Sequence, residues 1–252
     1  MTITGVIFLG AHPDDETVMA GGTLAMLHEH GIPTHILCAT DGRGGESGGV
    51  PGADTPEALA HIRKQELQCA VEALQVSSLT LLAYEDPVIG PGEELYEFAA
   101  DETALTNQII ETIQAQGPNV VLSHGSSGEY GHPAHIQMHR AAMRAVRDHM
   151  PELLFYSVAA LLPNSEDRLW NKNDPAHLAL DITPWIEAKH AAMLCHRTQH
   201  ALFKRRRQLT DVRDAIRLVE TFRRQWPAEN KERPEDEFSS LLLSVGGWRP
   251  EH

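Results

Sequence analysis

Positive charge is scarce in this sequence. Lysine and arginine number 21 against 35 aspartates and glutamates, a formal charge of −14 over 252 residues. A general nucleic-acid binder shows a basic face, so that class is excluded, although a pocket in an acidic protein can still be locally basic. Long apolar runs are missing too. None approaches the ~20 residues that span a bilayer, and the first residues carry neither a basic segment nor a small-residue cleavage site, so no membrane partner and a cytoplasmic location are expected. Cysteine is nearly absent. Cys38, Cys69 and Cys195 are far apart and odd in number, which predicts free thiols in a reducing compartment. Repeats and low-complexity segments are lacking. Histidine, by contrast, is plentiful: there are 15, several of them clustered, a reason to look for metal.

Apolar runs suited to strands lie at Gly5–Leu9, His35–Thr40, Leu79–Ala83, Val120–Ser123 and Leu153–Ala159, with a short one at His177–Asp181. Helix-like periodicity fills Thr17–His30, Thr55–Leu74, Glu102–Ala115 and Ala134–His149. This alternation predicts an α/β fold, a mostly parallel twisted sheet with helices on both faces. From Thr183, a plausible N-cap before Pro184, to about Trp226 the chain reads as helical. One domain over 1–252 is expected, with a Rossmann-like core to about residue 160 and a helical, short-stranded elaboration after it. Two loops follow strands and should border the ligand crevice of an open α/β sheet. The segment 41–52 holds six glycines and is expected to be a mobile rim; 85–95 carries two prolines and two glycines.

The segment "GAHPDDE", 10–16, puts four titratable groups directly behind a buried strand. A helix start explains part of it: Pro13 suits a first turn, and Asp14, Asp15 and Glu16 suit the positive end of the dipole. It does not call for His12 at a strand end. "EYGHPAHIQMH", 129–139, follows another strand. His132 and His135 are one helical turn apart, so their rings can share a direction, and His139 lies four further on. Two such junctions together can supply His, Asp and His, three ligands that leave a fourth position for water, as catalytic zinc sites do.

"AHPDDE" followed by "GHPAH" resembles the LmbE-like, or PIG-L, family of zinc-dependent N-acetylglucosaminyl deacetylases. The similarity extends to "TDGRGGE", "RKQELQCAVEAL", "EDPVI" and "KHAAMLCHRTQ". It implies a Rossmann-like fold with one zinc at the strand ends, held by His12, Asp15 and His135. It implies Asp14 as general base acting on metal-bound water, His132 as stabiliser or acid, and Tyr130 near the developing oxyanion. Arg63 and Asp86 would hold the sugar, and His196 would line the pocket. The family's second motif carries an aspartate where this chain has Ala134, which bears on the acid role of His132. The basic run 203–208 reads as a solvated helix face. The implied reaction removes an N-acetyl group from an amino sugar or its conjugate, in a protein that forms homo-oligomers. Two other readings are a metal-dependent hydratase for an unsaturated anionic acid, served by Arg63 and Arg43, and a non-catalytic sugar- or metal-binding module, which would have no need of Asp14.

Overall fold

The computed structural model describes residues 2–92, 94–98, 101–163, 169–228 and 235–251, and no side chain at 206 or 207. In chain order the elements are β1 (Val6–Gly10), α1 (Asp15–Glu29), β2 (Thr34–Thr40), α2 (Pro56–Ala73), β3 (Ser78–Tyr84), α3 (Glu102–Gln116), β4 (Val120–Ser123), α4 (Gly128–Gly131) and α5 (Pro133–His149). Then come β5 (Leu154–Val158), β6 (Ala160–Leu161), β7 (Asn171–Pro175), β8 (Leu178–Asp181), α6 (Ile186–Cys195), α7 (His200–Arg207), β9 (Val219–Trp226) and α8 (Glu237–Ser244).

Strand residues alternate between two cores. Val6 and Phe8 of β1 face one core with Leu24 of α1, Leu67 of α2, Met193 of α6 and Phe238 of α8. Ile7 and Leu9 face the other with Ile109 of α3 and Met138 of α5. Helices therefore cover both faces of a seven-stranded sheet of order β3-β2-β1-β4-β5-β9-β8. The pairings from β3 to β5 are parallel. Strand order reverses between β1 and β4, whose following helices α1 and α5 lie on opposite faces. A crevice opens at the carboxyl ends of strands at such a point, and both histidine-bearing junctions sit there.

The last third differs from the helical expectation. β9 is a strand, antiparallel to β5 and to β8, and it carries the main sheet onward. Its pattern is hard to read because the buried positions include charged residues. Glu220 accepts hydrogen bonds from the amides of Gly22 and Thr23 and pairs with buried Lys189 at 2.7 Å. Arg224 pairs with Asp236 at 2.9 Å. Charge that is paired can be buried, and it hides the apolar alternation of a strand.

The cysteine expectation is also corrected. Cys69 of α2 and Cys195 at the end of α6 form a disulfide across 126 residues, with Cα atoms 5.7 Å apart; Cys38 is free and buried. Side-by-side packing of α2 and α6 brings together what sequence distance separates. Part of the glycine-rich segment 41–52 is packed against the protein, while Gly49 and Gly52 are exposed. A Cβ on Gly44 would lie 2.0 Å from the Pro87 carbonyl oxygen, and one on Gly48 2.2 Å from that of Thr198. These glycines permit close backbone approach. In the basic run 203–208, Arg205 pairs with Glu46 at 2.5 Å; the side chains of Arg206 and Arg207 lie outside the described residues. Among the described residues no helix is long and apolar enough to cross a membrane.

Candidate metal centre

His12 follows β1, and Asp15 opens α1 one tight turn later. Asp15 Oδ2 accepts the amide hydrogens of Ala11 and His12 at 3.0 and 2.7 Å, which leaves Oδ1 free to turn outward. From the second junction, Pro133 starts α5 and His135 projects from its first turn. His12 Nδ1 lies 3.2 Å from His135 Nε2 and 3.5 Å from Asp15 Oδ2; His135 Nε2 lies 3.4 Å from Asp15 Oδ1. All three are buried. The structure brings these expected ligands together.

Each of the two histidines turns its other nitrogen to a carboxylate. His12 Nε2 is 3.2 Å from Asp86 Oδ1, and His135 Nδ1 is 2.5 Å from Glu129 Oε2. A ligand histidine that donates its second N–H to a carboxylate has its tautomer and ring orientation fixed. The two imidazoles and Asp15 thus fit a divalent metal of zinc's borderline character. Two overlapping groups of three have ligand atoms within 4.8 Å of one another: His12, His132 and His135, and Asp15, His124 and His135.

His124 and Glu129 are absent from the sequence reading. His124 stands one residue beyond β4, as His12 stands two beyond β1, and a histidine just past a strand end was a usable signal. It bridges Asp15 Oδ2 and Glu129 Oε2, each at 3.2 Å, and stacks on His135 at 3.9 Å. Burial pushes its pKa down, but Glu129 and Asp15 outweigh burial and carry it up to about 9. His124 holds two carboxylates in place. Glu129 would be raised by burial; His124 and His135 instead hold it well below the usual carboxylate range. Its backbone, at φ 59°, is left-handed. Its amide and its Oε1 are both held by Asn171, each at 2.9 Å.

Asp14 and Asp15 are tuned apart. Burial raises Asp14, Arg63 opposes that, and Asp15 adds to it, for a pKa of about 6. Burial acts the same way on Asp15, but His135 and His124 pull it well below its ordinary value. For His12, burial lowers the pKa, while Asp86 and Asp15 bring it to about 10.

The remaining expected residues fall into three groups. Tyr130 and His132 face the centre: the His132 ring stacks on His135 at 4.5 Å, and Tyr130 lies edge-on to both, at 5.6 and 5.8 Å. His132 caps α5, its Nδ1 accepting the Ala134 amide at 3.3 Å. The neutral ring therefore carries its proton on Nε2. Burial, with His135 and His12 beside it, pushes the His132 pKa far down. Ala134 is wholly buried in the apolar core. Arg63 and Asp86 are near the centre but engaged by protein. Arg63 donates to the carbonyls of Pro13 and Gly42 and lies 3.4 Å from Asp14 Oδ1; Asp86 holds His12. His196 is a correction. It is wholly buried behind the turn, 3.0 Å from Glu16 Oε1, and does not line a pocket. His139, four residues beyond His135, turns to the His124 carbonyl at 2.9 Å.

A family profile described as PIG-L, GlcNAc-PI de-N-acetylase, matches residues 7–146. The chain is 28% identical over 238 residues to a 1D-myo-inositol 2-acetamido-2-deoxy-alpha-D-glucopyranoside deacetylase of Nocardia farcinica, covering 77% of this chain and 80% of that one. It is 32% identical over 197 residues to a probable N-acetyl-alpha-D-glucosaminyl L-malate deacetylase 2 of Bacillus cereus, covering 77% and 83%. Among solved structures, the N,N'-diacetylchitobiose deacetylase of Pyrococcus horikoshii superposes with a TM-score of 0.63 at 19% identity, over 88% of this chain and 84% of that one.

Proposed function

The chain belongs to the PIG-L, or LmbE-like, family of de-N-acetylases, and from that premise we propose that it hydrolyses the N-acetyl group of an N-acetylglucosamine-type sugar or conjugate, with Asp14 as general base. The observation that carries this reading is the contrast within one turn. Asp15 belongs to a buried ligand group with His12 and His135, while its neighbour Asp14 stays outside that group with a pKa of about 6.

A divalent metal, zinc by the donor set, would polarise the amide carbonyl and lower the pKa of water at the site. Asp14 takes a proton from the water that attacks the acetyl carbon. A pKa near neutrality suits it to accept that proton and then to release it to the leaving amine. His132 Nε2–H and the Tyr130 hydroxyl are the donors placed to stabilise the tetrahedral oxyanion. His132 acts as a neutral donor, so its role does not depend on an aspartate at position 134. Cleavage of the C–N bond gives acetate and a free amino sugar. On this reading the whole chain is one catalytic domain, since β8 and β9 extend the same sheet.

The hydratase reading needs a cation for an anionic acid, and both arginines named for it are engaged. Arg43 is 2.8 Å from both Asp41 and Glu85, and Arg63 is buried with its two terminal nitrogens on backbone carbonyls. The test is release of acetate and primary amine from a panel of N-acetylglucosaminides bearing neutral polyol, malyl and glycosyl aglycones, with metal content measured in the same samples. Stoichiometric acetate and amine from at least one member is expected. No release from any member by metal-replete protein would overturn the reading.

A further inference from the structure

Asp14 has a backbone that an aspartate rarely adopts, with φ 125° and ψ −23°. Such a conformation persists only where its surroundings over-determine it. Here they do. The Asp14 amide donates to Glu16 Oε2 at 3.1 Å. At the other end of the same peptide group, Arg63 donates to the Pro13 carbonyl. Glu16 is itself fixed: its Oε1 accepts from the Thr17 hydroxyl at 2.6 Å and faces His196 Nε2 at 3.0 Å. Glu16 is 2% exposed and His196 0%. His196 Nδ1 has no hydrogen-bond partner among the described residues, so Nε2 is the nitrogen engaged in the structure.

The residues behind this cluster share one support. Thr198 donates its amide and hydroxyl to Glu66 of α2, at 3.0 and 2.6 Å, and Cys195 is bonded to Cys69 of α2. Arg63 also comes from α2. One helix thus braces both arms that grip Asp14. Neither Glu16 nor His196 joins the ligand group, and neither has a free surface to offer a substrate.

We propose that Glu16 and His196 are positioning residues that hold the Asp14 backbone in its left-handed turn, so that the Asp14 carboxylate faces the reacting water while Asp15 turns to the metal. This rests on Asp14 being the general base. A misplacement of about an ångström at a reacting group can cost on the order of 10²-fold in rate.

The test is a double-mutant cycle between Glu16→Ala and Asp14→Asn, reading kcat, KM, metal per chain by elemental analysis, and thermal melting. Glu16→Ala is expected to lower kcat by about 10–100-fold, with KM changed less than about threefold and metal content as in the parent. Glu16→Gln keeps an oxygen for the Asp14 amide and should recover most of the turnover. In the Asp14→Asn background, Glu16→Ala should cost no more than about a further twofold, because there is no base left to position. Losses that multiply across the two backgrounds would overturn the proposal, as would loss of metal in Glu16→Ala. If Glu16→Ala does not fold, the same cycle with His196→Ala decides on the same outcomes. Near-normal turnover in Asp14→Asn alone would instead overturn the base assignment.

Discussion

On one flank of the turn after β1, Asp15 faces His135 and His124, which draw its carboxyl well below the ordinary range, and backbone amides fix its second oxygen. On the other flank, Asp14 is desolvated beside Arg63, with Glu16 and His196 behind it and its own amide drawn back by Glu16. Two identical side chains in consecutive positions acquire opposite proton affinities from what faces them. One is suited to staying charged at a cation, the other to exchanging a proton near neutral pH. The backbone makes the separation possible, because a left-handed residue at 14 directs successive side chains to different sides.

The largest effect expected is on the Asp15 flank. His135→Ala or Asp15→Asn removes a ligand and should abolish stable metal binding, with activity lost alongside it. Elemental analysis after desalting checks this, and full metal content in either variant would break the contrast. Next comes Asp14→Asn. It should keep its metal and its fold yet lose roughly 10²–10⁴-fold in kcat, the range for removing a general base. If it loses metal as readily as His135→Ala, the two carboxylates have been assigned the wrong way round.

A smaller effect probes the support behind the ligands. Glu129→Gln should weaken metal affinity about 10–100-fold, because His135 loses its carboxylate and His124 loses half of its charge pairing. Competition with a chromophoric chelator measures it, and unchanged affinity would reduce Glu129 to packing. The pH dependence follows from His12. Its pKa in the metal-free site is raised from 6.5 to about 10, so it is protonated at neutral pH, and binding must expel that proton. Metal affinity should fall about tenfold per unit as pH drops from 9 to 7. The stability contribution runs the opposite way. A raised histidine pKa stabilises the metal-free fold fully below 6.5, and that stabilisation is lost as pH rises through 10. Metal titrations in buffers of different ionisation enthalpy should show the proton released.

Sequence reading reached the parts of this molecule where local chemistry and local pattern agree. The strands β1 to β5 show apolar runs because both faces of the parallel sheet are covered, and His12, Asp15 and His135 stand at strand and helix ends where a site is expected. The positions it lost have non-local causes. β9 is obscured by Glu220 and Arg224, charges whose partners Lys189 and Asp236 are distant or follow a loop. His124 and Glu129 take their place partly through residues that the fold delivers from afar, Asp15 at the start of α1 and Asn171 of β7. His196 carries a strong motif resemblance, yet its place behind the catalytic turn depends on the packing of α6 against α1 and α2. Cys69 and Cys195 read as isolated thiols because nothing in a spacing of 126 residues predicts which helices lie side by side.

That disulfide gives the smallest catalytic effect, and it separates bracing from positioning on the Asp14 flank. Cross-linking a loop of this size stabilises chiefly by restricting the unfolded chain, typically by about 2–4 kcal/mol. Cys69→Ser should therefore lower the melting temperature clearly. Its effect on turnover should be slight, under about threefold, because the turn that carries His196 keeps a second attachment to α2 through the two hydrogen bonds from Thr198 to Glu66 and hydrogen bonds of this charge-assisted kind are the stronger class. Weakening that attachment as well, in Cys69→Ser with Thr198→Val, which deletes the hydroxyl bond and keeps the amide one, should lower kcat beyond either change alone. Measuring melting and kcat for the single and double variants separates the two roles. A large fall in kcat from Cys69→Ser alone, with metal retained, would mean that the covalent link itself sets the geometry of Asp14.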